Sequence, residues 1–106
     1  MEPFNLPGAE EWMAAPAHVV PSWLNAELLA NNMPVRVPAV AIVAAQENAY
    51  QFRGVLSDAN GQILGSIAGT YYVNDPAGRF DHAMEGNYEY TLPDGSVDAD
   101  TFEFSE

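Results

Sequence analysis

The chain has 106 residues, fifteen acidic against three basic, and no cysteine. That allows one compact domain and excludes Rossmann enzymes, kinases and TIM barrels by size. At 48 % hydrophobic and 17 % charged residues the chain is too apolar for intrinsic disorder, despite a formal charge of −12.

The only cationic side chains are Arg36, Arg53 and Arg79. Three arginines cannot build a groove that tracks phosphates, so direct nucleic-acid binding is excluded. Partners of the opposite kind remain: neutral or apolar small molecules, cations, and basic protein surfaces. Nine of the fifteen acids lie in residues 75–106 with only Arg79 opposing them, whereas residues 12–46 carry just Glu27 and Arg36. The missing cysteines remove disulfides, thiolate metal sites and thiol nucleophiles. The amino terminus has neither a basic region nor a cleavable apolar stretch, and the longest weakly polar run, 37–45, contains a proline. A cytoplasmic protein without a membrane span is the expectation.

Along the chain, residues 1–21 hold Pro3, Pro7, Pro16, Pro21 and Gly8, a density that argues against a continuous helix. Phe4, Leu6, Trp12, Met13, Val19 and Val20 are spread through the same stretch. It is therefore predicted as an ordered arm lying across the domain or a neighbouring subunit. Residues 22–106 form the single β-rich domain. It opens with a short helix over 23–30, N-capped by Ser22, with Leu24 and Leu28 on one face and Asn31, Asn32 and Pro34 ending it. Two turns of helix must dock to persist.

From Val35 onward the pattern is antiparallel sheet. Turn chemistry at 58–61, 74–78 and 93–95 helps delimit five strands, at about 35–44, 49–57, 62–74, 79–92 and 96–104. The fourth alternates most clearly, with His82, Met84, Gly86, Tyr88 and Tyr90 on one side and Glu85, Asn87 and Glu89 on the other. In the third, both sides carry apolar residues, so cover on both faces is expected. The last strand changes parity between Val97/Ala99 and Phe102/Phe104, which a bulge near Asp100 would reconcile. Interior glycines at 54, 65, 69 and 86 favour a curled sheet. The fold class is mainly β: an antiparallel curled sheet or small barrel, complete or incomplete, of about five strands with a short leading helix. Its open edges favour a homo-oligomer or a partner chain that completes the sheet.

Motifs for familiar chemistry are few. Asp94, Asp98 and Asp100 flank Gly95, but the calcium-loop alignment puts Tyr90 and Leu92 at ligand positions and Thr101 where the bidentate glutamate belongs. His18 and His82 lack ligand spacing, so no metal is assigned. Glu85 and Glu89 share a strand face but stand about 13 Å apart, beyond the roughly 5–9.5 Å of an acid–base pair in glycoside chemistry. Asp98 and Asp100, about 6.6 Å apart, are close enough, yet nothing else around them points to catalysis. No nucleophile elbow or phosphate loop is present. What remains is an aromatic inventory on strands, arm and helix, which reads as ordinary core or as an apolar cavity with a few polar handles.

Residues 50–65, YQFRGVLSDANGQILG, followed by Gly69-Thr70-Tyr71-Tyr72-Val73, resemble the early hairpin of the allene-oxide-cyclase-like and dirigent-like small β-barrels. Residues 88–97, YEYTLPDGSV, resemble a later hairpin of that group, which includes bacterial spirotetronate cyclases that close a ring by an intramolecular [4+2] reaction. The resemblance spans about residues 35–104. It departs in strand number, since the group closes eight strands and this sequence supplies about five. The resemblance implies a cofactor-free cyclase or isomerase that folds an apolar, polyketide-like substrate into a reactive conformer. On strand parity the expected polar and catalytic groups are Arg53, Tyr71 and Tyr88, and the expected ligand-binding residues are Phe52, Tyr90, Met84, Trp12 and Trp23, the two tryptophans forming part of a lid. The competing expectation is a non-catalytic acidic inhibitor or adaptor whose carboxy-terminal half docks on a basic surface, imitating the charge of nucleic acid in one version. Carboxylates on an outer ridge with a filled interior favour the adaptor; a hollow with few acids at its mouth favours the cyclase.

Overall fold

The computed structural model describes the chain over residues 9–46, 48–73 and 77–105, with side-chain surroundings from residue 17 onward. One helix, α1 (Ala9–Ala30), precedes five strands: β1 (Val40–Gln46), β2 (Ala49–Ser57), β3 (Ile63–Val73), β4 (His82–Thr91) and β5 (Val97–Ser105). The strands pair antiparallel in sequence order, forming one curled sheet that stays unclosed, with β1 and β5 as its edges.

The helix differs from expectation. Instead of starting after a proline-rich arm that ends at residue 21, it runs from Ala9 through Pro16 and Pro21. Residues 1–8 of that expected arm lie outside the described residues. A proline inside a helix removes a hydrogen-bond donor and crowds the preceding turn, a cost of about 3 kcal/mol. Val20, Leu24 and Leu28, spaced by four, are all buried. Burying each such side chain is worth roughly 2 kcal/mol, so the stripe gives the helix reason to continue N-terminal to Pro21. Its end matches expectation: Asn32 takes a left-handed φ of 57°, and the Asn32 and Met33 N–H groups donate to the carbonyls of Leu29 and Leu28 at 3.0 Å each. This is a Schellman cap with asparagine in the usual glycine position.

Residues 33–39 connect α1 to β1, with Val35 and Val37 buried. Arg36 and Ser57 exchange two backbone hydrogen bonds of 2.9 Å, tying this segment to the end of β2. Asn25 ties it to the helix. Its Oδ1 accepts from the Val37 N–H, and its Nδ2 donates to the carbonyls of Val37 and Pro21, all at 2.8 Å.

Observed strand boundaries follow the turn residues. Asp58 Oδ1 accepts from the N–H groups of Asn60 and Gln62 at 2.8 and 2.9 Å, and Asp94 Oδ1 accepts from Ser96 at 2.9 Å. Gly61 and Gly95 complete these turns at φ 86° and 91°, where any Cβ would be strained. Of the expected turn at 74–78, residues 74–76 lie outside the described residues. Bulges occur between Ile42 and Ala44 and between Leu56 and Ser57. The one anticipated near Asp100 does not: β4 and β5 pair without interruption from Thr91↔Val97 to Ala83↔Ser105. Asp98, Asp100, Phe102 and Phe104 therefore share the helix-facing side, and Val97 and Ala99 point away from it. Nor is β3 covered equally, since Ile67 and Tyr71 are buried whereas Ala68, Thr70 and Tyr72 on the other side are only half-buried.

Two facing glycines set the curl at the middle of the sheet. Gly69 pairs with Gly86, and a Cβ on Gly86 would collide with the Ala68 carbonyl oxygen and stand 2.6 Å from Gly69 Cα. The backbones approach closely there, beneath the Phe52 ring that a Cβ on Gly69 would meet at 3.0 Å. The helix-facing side holds the core, formed by Val20, Leu24 and Leu28 with Tyr50, Phe52, Leu56, Ile67, Tyr71, Met84 and Tyr90.

Two polar side chains, half-buried Asn25 and buried Ser57, make opposite contributions. Asn25→Ala leaves the Val37 N–H and C=O without partners and is expected to lower unfolding stability by about 2 kcal/mol. The Ser57 hydroxyl is buried without a hydrogen-bond partner. Ser57→Ala is expected to leave stability unchanged or raise it by up to about 1 kcal/mol. Urea unfolding followed by tryptophan fluorescence measures both.

Candidate functional site

The register gathers most of the sequence-predicted site residues on the helix-facing side. One cross-strand row there is Tyr50–Tyr71–Met84–Phe104, the next Phe52–Gly69–Gly86–Phe102, and beyond them lie Tyr88 beside Asp100 and Tyr90 beside Asp98. Phe52, Tyr71, Met84 and Tyr90 are buried core residues, with Met84 at 0 % exposure, and Tyr88 is half-buried. Trp23 projects from α1 and stacks on His82, with ring centroids 4.3 Å apart and planes 26° from parallel. It meets Tyr71 edge-on at 6.3 Å, and the Tyr71 hydroxyl is 3.2 Å from His82 Nδ1. Trp12 lies on the described helix backbone, but its side chain is outside the described residues.

Asp98 collects two phenols. Tyr90 donates to Oδ2 at 2.8 Å and Tyr88 to Oδ1 at 3.4 Å, the two rings stacking at 6.0 Å. Burial first, then the hydrogen bond to Asp98, pushes the Tyr90 phenol up to about 12. Tyr88 is raised by burial and by the charges of Asp98 and Asp100, and Tyr71 by burial and by Tyr50.

Arg53 does not join them. The strand alternation that buries Phe52 turns Arg53 to the opposite, outer face, where it is exposed. The three groups expected to act together, Arg53, Tyr71 and Tyr88, thus fall on two sides of one sheet.

On that outer face two depressions share a boundary. A groove of about 650 Å³ crosses the middle of the sheet between Arg53, Thr70, Asn87 and Thr101. A neighbouring cavity of about 610 Å³ is walled by Tyr72, Phe80 and Ala83. Glu85 and Glu103 border both. They are direct cross-strand partners, and the Tyr72 hydroxyl donates to Glu85 Oε2 at 3.0 Å. Burial and this carboxylate raise the Tyr72 phenol above its ordinary value. Arg79 lies over the Phe80 ring, its guanidinium carbon 5.7 Å from the centroid.

By sequence Glu85 is set aside as half of a carboxylate pair with Glu89 that is too far apart for acid–base work, and Glu103, Tyr72 and Phe80 carry no site assignment. The parity of β5 would have found Glu103, since two phenylalanines flanking it at 102 and 104 leave only the outer side for the residue between them. Among the described residues no group of three or more metal-ligating side chains comes together, and no helix is long and apolar enough to cross a membrane. No protein family, curated protein or solved structure matches the chain.

The Tyr90 phenol carries a pH dependence whose sign is fixed. Its folded-state value lies above the unfolded value of about 10, so the folded protein keeps a proton that the unfolded chain has already released. The stability it contributes is complete below about pH 10 and is lost as pH rises toward 12. Urea stability is expected to fall as pH rises from about 10 toward about 12, and Tyr90→Phe should make that fall shallower.

Proposed function

We propose that this chain is a non-catalytic acidic binding module that docks on a basic protein surface through its β4–β5 hairpin. The observation that carries this reading is the charge of residues 82–105: Glu85, Glu89, Asp94, Asp98, Asp100 and Glu103, with no lysine or arginine among them. All but Asp98 are exposed. Glu85, Glu89 and Glu103 share the outer face, where Arg53 and Arg79 also lie, and Asp98 and Asp100 lie on the helix-facing side. A hairpin with this excess of one sign attracts its opposite over a Debye length and fixes orientation on contact.

Two further features support docking over catalysis. The apolar face that a ring-closing enzyme would offer its substrate is occupied by α1 and the core side chains. Arg53, the expected polar handle, faces away from Tyr71 and Tyr88, so no single substrate pose in the described part of the molecule meets all three. A pericyclic closure gains its rate from holding one reactive conformer, and groups on opposite faces of a sheet cannot hold one.

An arginine-rich peptide serves as the probe. Its dissociation constant is expected to rise about tenfold or more between roughly 50 and 300 mM salt. The triple variant Glu85→Gln/Glu89→Gln/Glu103→Gln should weaken binding at least about tenfold, the equivalent of about 1.4 kcal/mol. The variant Glu10→Gln/Glu11→Gln/Glu27→Gln, with the same change in net charge, should weaken it less than about twofold. Equal losses in the two variants would reduce the effect to overall charge, and tight binding of a neutral polyketide-like compound would favour the cyclase instead.

A further inference from the structure

We infer that the outer-face cavity between Tyr72 and Phe80 is a receptor for an arginine side chain of the partner, its guanidinium held by Glu85 and Glu103; the inference rests on the docking reading for the origin of that side chain, and on the cavity alone for its chemistry. Glu85 and Glu103 stand directly opposite each other on neighbouring strands, an arrangement that destabilises a sheet unless a cation lies between the charges. Both are exposed and border the cavity. Among the described residues no third metal-ligating side chain joins them.

The walls narrow the class of cation. Half-buried Tyr72 and Phe80 line the cavity together with buried Ala83, and a volume of about 610 Å³ admits a long side chain. Guanidinium is planar, weakly hydrated and stacks on aromatic faces while its fork meets carboxylates, whereas ammonium is a compact, strongly hydrated charge. The fold already contains one example of this contact, because the Arg79 guanidinium lies over the Phe80 ring. The Tyr72 hydroxyl holds one oxygen of Glu85, which orients that carboxylate without using its second oxygen. Arg79 lines the cavity at the Phe80 ring, and an incoming guanidinium enters against Tyr72 and the two carboxylates.

The test uses the whole chain with N-acetyl-arginine methylamide, the lysine analogue and the uncharged norleucine analogue, followed by amide chemical shifts in low salt. The arginine probe is expected to shift residues 72, 80, 85 and 103 and to bind at least about threefold more tightly than the lysine probe. Glu85→Gln should weaken it about fivefold or more, Phe80→Leu about threefold, and Arg79→Gln should strengthen it by relieving repulsion. Shifts spread over Asp58 and Asp94, binding unchanged in Glu85→Gln, or equal binding of the norleucine analogue would each overturn the inference. If the arginine-rich peptide still binds while Phe80→Leu alters neither peptide nor probe, the cavity assignment fails and docking stands. If the probe binds at the cavity but the peptide does not bind the chain, docking fails and the cavity assignment stands.

Discussion

Burial of one face of the sheet beneath α1 decides which side of every strand is left for anything else. The stripe of Val20, Leu24 and Leu28 enters the same core as Phe52, Leu56 and Met84, and Asn25 closes the arrangement by holding the Val37 backbone from both its donor and its acceptor. Because side chains alternate along a strand, committing Phe52 to the core commits Arg53 to the outside, and committing Met84 commits Glu85. The distribution of function follows from that one packing event. Aromatic rings are spent largely on cohesion, and carboxylates, amides and hydroxyls are left facing water.

Much of this was legible in the sequence, because the signals were local. Turn residues at 58–61 and 93–95 bounded the strands, since an Asp that accepts from the N–H two residues on, followed by a glycine at positive φ, has few other uses. The alternation in β4 predicted its inward and outward sides correctly. Where reading failed, a non-local interaction outweighed a local rule. Pro16 and Pro21 argue against a helix, yet α1 runs through both; at Pro21 the burial of Val20 beside Leu24 and Leu28 against strands far along the chain outweighs the local rule. The parity of β5 was ambiguous because Asp98 and Asp100 are poor candidates for a core-facing side. They sit there because β5 is an edge strand, and because two tyrosines donate to Asp98. The candidate site was the least legible part. Aromatic residues drew attention to the face the core consumes, whereas the depressions on the outer face arise from pairings between strands that no single segment reveals.

The two edges of the unclosed sheet are unlike. β5 carries Asp98, Asp100 and Glu103, charges that discourage a second acidic chain from extending the sheet there. β1 has no charged side chain, and its only irregularity is the bulge at Val43, which is 53 % exposed. The asymmetry follows the division of charge along the chain: the nearly neutral amino-terminal half builds the helix and the first strand, and the acidic half builds the hairpin at the far side. Repulsion among the carboxylates is thereby confined to elements held together by many backbone hydrogen bonds. The helix–sheet packing on which the fold depends is made where the chain has almost no charge.

That division also bears on why Glu85 and Glu103 face one another. A sheet selected for stability alone gains from an opposite-charge or Thr–Thr pair at such a position and loses from two carboxylates. Local rules are obeyed at the turns and at the helix C-cap of this chain, and a local violation among consistent choices is where a functional demand is to be sought. The violation lies at the boundary of the two outer-face depressions, next to an aromatic wall that already carries a guanidinium. On the docking we propose, the cost of the pair is the free-chain side of a binding equilibrium: repulsion between the two carboxylates would be released when a guanidinium arrives, and that release would add to the affinity.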